Sequence, residues 1–172
     1  MEDNLDFFLQ EQLEFRIQKA MTGQMDDVIE KIKEIAKKFS IATKDKKSPF
    51  RNVLSVAVAP TSSIEVIKNF IKSQIGKSGS SPIWSEKNGN QLFATALVHE
   101  IDSLTVDTKT IVENIRQSIP KNNPLNSYVD NPKNQKQLTK KIHLKLTQLY
   151  LGYLAREHIA LVGEEKYKSN VK

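Results

Sequence analysis

The chain is expected to fold as an α+β protein. A small three- or four-stranded antiparallel or mixed sheet, in βαββα order with a ferredoxin-like arrangement as one outcome, would be flanked by long N- and C-terminal helices. Three observations lead there. The β-branched run Val53-Leu-Ser-Val-Ala-Val-Ala59 ends at Pro60 and suits a buried strand. Asn88-Gly89 has the composition of a two-residue type I′ hairpin turn. Isoleucines at helical spacing (Ile64, Ile67, Ile71 and Ile75, then Ile111, Ile115 and Ile119) mark an amphipathic helix on either side of that hairpin.

Residues 1–40 read as an N-terminal helical segment, with a break or kink near Thr22-Gly23. Leu5, Leu9, Leu13, Ile17 and Met21 recur every four residues. Met25, Val28, Ile32 and Ile35 then alternate in the manner of a coiled-coil seam, so they are the candidate interaction seam, packing either on their own chain or on another. Residues 41–52 form a basic linker that carries Lys44, Lys46, Lys47 and Arg51.

The central unit, 53–119, opens with the strand at Val53 and continues into a helix with Ser62 and Glu65 at capping-box spacing. Counting outward from Asn88-Gly89 sets Lys87 opposite Asn90 and Trp84 opposite Phe93. The second strand, through Ala94 to Ile101, is apolar on both faces and reads as central. Residues 120–137, rich in proline and asparagine, read as a long loop. Residues 138–163 follow as a C-terminal helix, although Ile142-His-Leu-Lys-Leu146 also alternates as a strand does, and 164–172 is a polar tail.

Composition narrows function by exclusion. Hydrophobic residues make up only 38% of the chain and charged residues 27%, which favours a small core with helical arms over one large globule. Without cysteine there is no thiolate nucleophile and no cysteine-ligated metal, which agrees with a cytoplasmic setting. No apolar run approaches the ~18 residues of a membrane span, so no membrane partner is expected. Gly76-Lys-Ser-Gly-Ser-Ser81 ends like a phosphate-binding loop but follows a helix and lacks the earlier glycine, Ile71 standing in its place; it reads as a flexible turn. His99, Glu100 and Asp102 form the polar end of a strand, without the spacing of a zinc motif. No cofactor is implied, and no catalytic constellation assembles.

Charge is segregated. Residues 1–30 hold 8 acidic and 2 basic side chains, residues 31–51 hold 2 and 8, and residues 120–172 hold 4 and 10. These features point to a non-catalytic interaction or assembly protein that uses helical seams to bind itself, as a dimer, or a larger protein. The alternative is a nucleic-acid-binding protein. It would hold RNA or DNA through Lys44, Lys46, Lys47, Arg51, Lys136, Lys140 and Lys141, with little sequence preference because lysine on a flexible stem reads phosphate charge.

Overall fold

The computed structural model describes residues 5–43 and 48–171. The chain is mostly helical: α1 (Phe7–Lys38), α2 (Arg51–Val58), α3 (Ile64–Gly76), β1 (Lys87–Asn88), β2 (Gln91–Leu92), α4 (Phe93–Ser118), α5 (Leu125–Asp130) and α6 (Pro132–Asn170). Short 3-10 turns occupy Ile41–Thr43 and Pro82–Ser85. Two compact units result. One joins the residues up to Asp26 with Leu104–Leu146, and the other joins Asp27–Ser103 with the residues from Thr147 onward.

In the first unit, Leu13, Ile17 and Met21 of α1, Ile111 and Ile115 of α4 with Ile119 just past its end, Leu125 and Val129 of α5, and Leu138, Ile142 and Leu146 of α6 are buried. Each set recurs at three- or four-residue spacing, so each helix turns one apolar stripe inward. Polar ties border this core. The Arg16 guanidinium donates to Ser118 Oγ at 3.0 Å, Gln24 Nε2 donates to the buried Asp107 carboxylate at 3.0 Å, and Asn123 Nδ2 donates to Gln12 Oε1 at 3.1 Å. Asn131 caps α6, its Oδ1 accepting the Lys133 and Asn134 amides at 2.9 and 3.3 Å, while Pro132 takes the first helical position, where no amide is needed.

The second unit is built on an aromatic cluster. The Phe50 ring lies 5.7 Å from Trp84, 6.2 Å from Phe93 and 5.7 Å from His158, and Phe39 meets Phe93 at 5.5 Å, all near edge-to-face. Val28, Ile32, Ile35, Val53, Ala57, Ile67, Ile71, Leu97 and Leu154 extend this core. Gln148 Nε2 donates to the Ala57 carbonyl at 2.8 Å, satisfying a group at the end of α2 that helix geometry leaves open. Lys68, only 14% exposed, bridges to Asp102 at 2.8 Å, and Asp102 and then Glu65 hold its ammonium above the usual lysine range.

Several expectations are corrected. The run from Val53 is helix α2 and not a strand: Phe50, Val53 and Ala57 turn inward at helical spacing, Ser55 and Val58 face outward, and this burial outweighs the β propensity of the valines. Ala94 to Ile101 is not a central strand but the first turns of α4, where Ala94, Leu97, Val98 and Ile101 bury one broad helical face and His99 is left exposed. The three- or four-stranded, ferredoxin-like sheet therefore reduces to a two-stranded antiparallel ribbon among the described residues.

Its register is also shifted. Asn88 pairs with Gln91 and Lys87 with Leu92, so the turn is Gly89-Asn90. Gly89 has φ +59° and Asn90 is not left-handed, matching the type II′ pattern with glycine first. Trp84 and Phe93 still meet, at 6.0 Å, but from a 3-10 turn and a helix start.

The helix α1 runs through Thr22-Gly23 unbroken, and 120–137 contains α5 and the first turns of α6. Residues 138–147 are helical, and α6 passes Gly163 to reach Asn170. The cap of α3 is Ser63, one residue after Ser62, its Oγ accepting the Val66 amide at 3.2 Å.

Ile71 is fully buried in α3. Ile71→Ala removes three heavy atoms from a filled site and is expected to cost about 2–5 kcal/mol, measured by denaturant unfolding.

Candidate functional site

In the second unit a cleft of about 480 Å³ is lined by Ser48, Pro49, Arg51, Asn52, Gln74, Lys77, Gly79, Ser80, Ser81, Pro82 and Trp84. Among the described residues two cations, Arg51 and Lys77, border it and no carboxylate does. Neither Arg51 nor Lys77 is held in an ion pair among the described residues.

Each wall has a local cause. Arg51 begins α2 directly after Phe50, so burial of that ring fixes where the guanidinium stem leaves the backbone. No side chain caps this helix, which leaves its first amides and the positive end of its dipole on the Arg51–Asn52 side.

The opposite wall is the turn after α3. Gly79 takes φ +75°, a conformation glycine adopts without penalty, and the Ser80 amide closes on the Lys77 carbonyl at 3.3 Å. The Ser80 hydroxyl donates to the Gln74 carbonyl at 2.6 Å, removing one C-terminal carbonyl from the field of the cleft. Ser81 Oγ accepts the Ile83 amide at 3.3 Å, which caps the 3-10 turn that follows. Gln74 is only 6% exposed, and its Nε2 makes nothing better than 3.4 Å contacts to the Phe70 carbonyl and Ser73 Oγ. A buried amide so weakly held inside is a ready donor for a guest.

The residues expected from sequence to contact nucleic acid are distributed over both units. Lys44, Lys46 and Lys47 lie outside the described residues. Arg51 lines the cleft of the second unit, whereas Lys136, Lys140 and Lys141 stand exposed on α6 in the first. Lys133, Lys136 and Lys140 share one exposed helical face, in a stretch from 131 to 156 without a carboxylate. Lys141 is drawn into an ion pair with Glu14.

The seam residues behave differently. Val28, Ile32 and Ile35 are buried within their own chain and Met25 is half-buried. Sequence reasoning did not connect Asn52, Gln74 or the turn after α3 with Arg51, although all of them line one cleft. No local signal joins Arg51 to residues 77–81; only the packing of α2 on α3 does.

A second polar cleft, of about 340 Å³, is lined by Lys31, Glu34, Ile35, Lys38, Phe39, Gln91, Ala96, His99 and Glu100. Lys38 Nζ donates to Gln91 Oε1 at 3.2 Å, and Gln91 Nε2 lies 3.5 Å from His99 Nδ1. Burial raises the half-buried Glu100 carboxyl above its ordinary value, against the pull of Lys31. Burial also raises the enclosed Tyr150 phenol, with the Glu100 charge adding to it. Charges of both signs meet here, so the site has no net preference for a polyanion. Among the described residues no group of three or more His, Cys, Asp or Glu is placed to hold a metal ion, and no helix is long and apolar enough to cross a membrane.

Two outcomes follow. A raised carboxyl pKa makes the charged form the less favoured one in the fold, a cost felt above the ordinary value of 4.5 and absent where both folded and unfolded chains are protonated. Glu100→Gln should therefore raise Tm at about pH 7, with the gain vanishing near about pH 4 in melts across that range. Ile32→Lys should abolish folding in circular dichroism, since it puts an unpaired charge into a closed core; a folded particle of smaller mass would instead reveal an interface.

Compared with protein-family models, with curated proteins and with solved structures, the chain matches none.

Proposed function

We propose that this is a non-catalytic protein that binds nucleic acid, RNA or DNA, through its phosphates and with little preference for base sequence. The observation that carries the reading is the cleft between α2 and the turn after α3, where Arg51 and Lys77 border a concave surface that holds no carboxylate among the described residues and carries the side-chain amides of Asn52 and Gln74. Arginine suits such a place because its planar fork meets two phosphate oxygens at once. The unpaired face of Lys133, Lys136 and Lys140 offers further positioning contacts, spaced along about 10 Å of helix at 1.5 Å per residue.

A second reading, assembly with a copy of itself or with a larger protein, is favoured by a different surface from the one expected. The seam at Val28, Ile32 and Ile35 is already occupied, but Phe8 and Phe15, seven residues apart on one face of α1, are 69% and 67% exposed. Sedimentation of Phe8→Ser/Phe15→Ser against the parent chain tests it: a drop in mass supports assembly, and an unchanged monomer excludes that face.

The binding reading is tested by fluorescence anisotropy with labelled single- and double-stranded RNA and DNA between low and physiological salt. Affinity should fall linearly on logarithmic axes, by about 0.7–0.9 per phosphate neutralised. The double variant Arg51→Gln/Lys77→Gln should weaken binding for every sequence alike and reduce that slope by roughly 1–2. No binding at low salt to any of the four would overturn the reading.

A further inference from the structure

We infer that the outward face of α1 pairs with the same face of a second copy of this chain, antiparallel, about a two-fold axis through Phe15. The inference rests on the assembly reading above and gives it a partner, a direction and a register. Every residue it uses belongs to the first unit.

Helix geometry defines the face. Leu13, Ile17 and Met21 turn one side of α1 into the core of the unit. At about 100° per residue, Phe8, Glu11, Phe15, Lys19 and Thr22 fall on the opposite side, and all five are exposed. Two aromatic rings thus stand on a surface that their own chain does not cover.

These five positions read the same from either end. Counted from Phe15, Glu11 and Lys19 lie four residues away on either side, and Phe8 and Thr22 lie seven away. A two-fold axis at Phe15 therefore sets Glu11 of each copy opposite Lys19 of the other, Phe8 opposite Thr22, and Phe15 against itself. Neither Glu11 nor Lys19 is held in an ion pair among the described residues. The Thr22 hydroxyl donates to the Gln18 carbonyl at 2.9 Å, which satisfies it within the helix and leaves its methyl group to meet a ring.

Charge selects the direction. Parallel pairing would set Glu11 on Glu11 and Lys19 on Lys19, whereas antiparallel pairing makes the same opposite-charge contact twice. Such a contact is self-complementary, so the assembly closes at two copies. It runs along about 21 Å of helix, at 1.5 Å per residue, with aromatic rings at its centre. One helix pair of that length is smaller than a standard stable interface, so the dimer should form and dissociate with concentration.

The test is sedimentation of the full chain over a range of concentrations at low salt, where exposed charges are least screened. The parent is compared with Glu11→Lys, with Lys19→Glu and with an equimolar mixture of these two variants. Both substitutions fall at exposed positions and should leave Tm unchanged. Each variant alone opposes like charges at both contacts of its own dimer, and its dissociation constant should rise roughly tenfold. The mixture should return to the parent value, because one copy then carries two cations and the other two carboxylates. The double variant Glu11→Lys/Lys19→Glu, in which the charges only change places, should return to it as well.

Recovery in the mixture and in the double variant supports the register. A parent that stays monomeric at every concentration overturns this inference and assembly through this face together, as does a dimer that Phe8→Ser/Phe15→Ser leaves intact. A dimer that Phe8→Ser/Phe15→Ser dissociates but neither charge reversal weakens overturns the register while the assembly reading stands. Weakening in both single variants without recovery in the mixture overturns the antiparallel pairing.

Discussion

Burial of Phe50 is the constraint on which the second unit depends. Its ring is closed off by Trp84, Phe93 and His158, side chains drawn from a 3-10 turn, the start of α4 and the body of α6. Large aromatic side chains bury more apolar area than any others, so one such ring ties three distant stretches of chain together. Arg51 follows Phe50 directly, and Trp84 stands just beyond the turn that bears Lys77, Ser80 and Ser81. The same cluster therefore sets both walls of the Arg51–Lys77 cleft. A structural core and a polar site share one set of anchors.

This arrangement explains why much of the fold was legible in the sequence and some of it was not. The stripes Leu13-Ile17-Met21, Ile67-Ile71, Ile111-Ile115-Ile119 and Leu138-Ile142-Leu146 all bury as their helical spacing implies. Failure came where a short apolar run satisfies two periods at once. Val53 to Val58 holds valine at three of its six positions, and only the burial of Phe50, Val53 and Ala57 on a core assembled elsewhere selects the helix. Ala94 to Ile101 is apolar enough to fill either a central strand or a broad helical face, and its continuation into the 26-residue α4 decides between them.

Turn chemistry was legible to within one residue. Asn88-Gly89 signalled the hairpin correctly, but the glycine sits first in the turn, so the pairing slides and places Lys87 opposite Leu92. The contact of Trp84 with Phe93 survives that slip because both rings are pulled into the Phe50 cluster rather than paired across strands. For the candidate site, Arg51 was visible as one cation in a basic connector. Its association with Gln74 and Lys77 was not, because it is created by α2 packing on α3 and leaves no periodic trace in the chain.

Trp84 is the only tryptophan in the protein, and it belongs both to the aromatic cluster and to the lining of the cleft. One indole is thus exposed to two different influences, the integrity of the core behind it and the occupant in front. Its emission is a built-in optical gauge, free of signals from any other indole. Loss of the Phe50 cluster would let water reach the ring and shift its emission to the red, while a guest in the cleft would alter intensity with the core still closed.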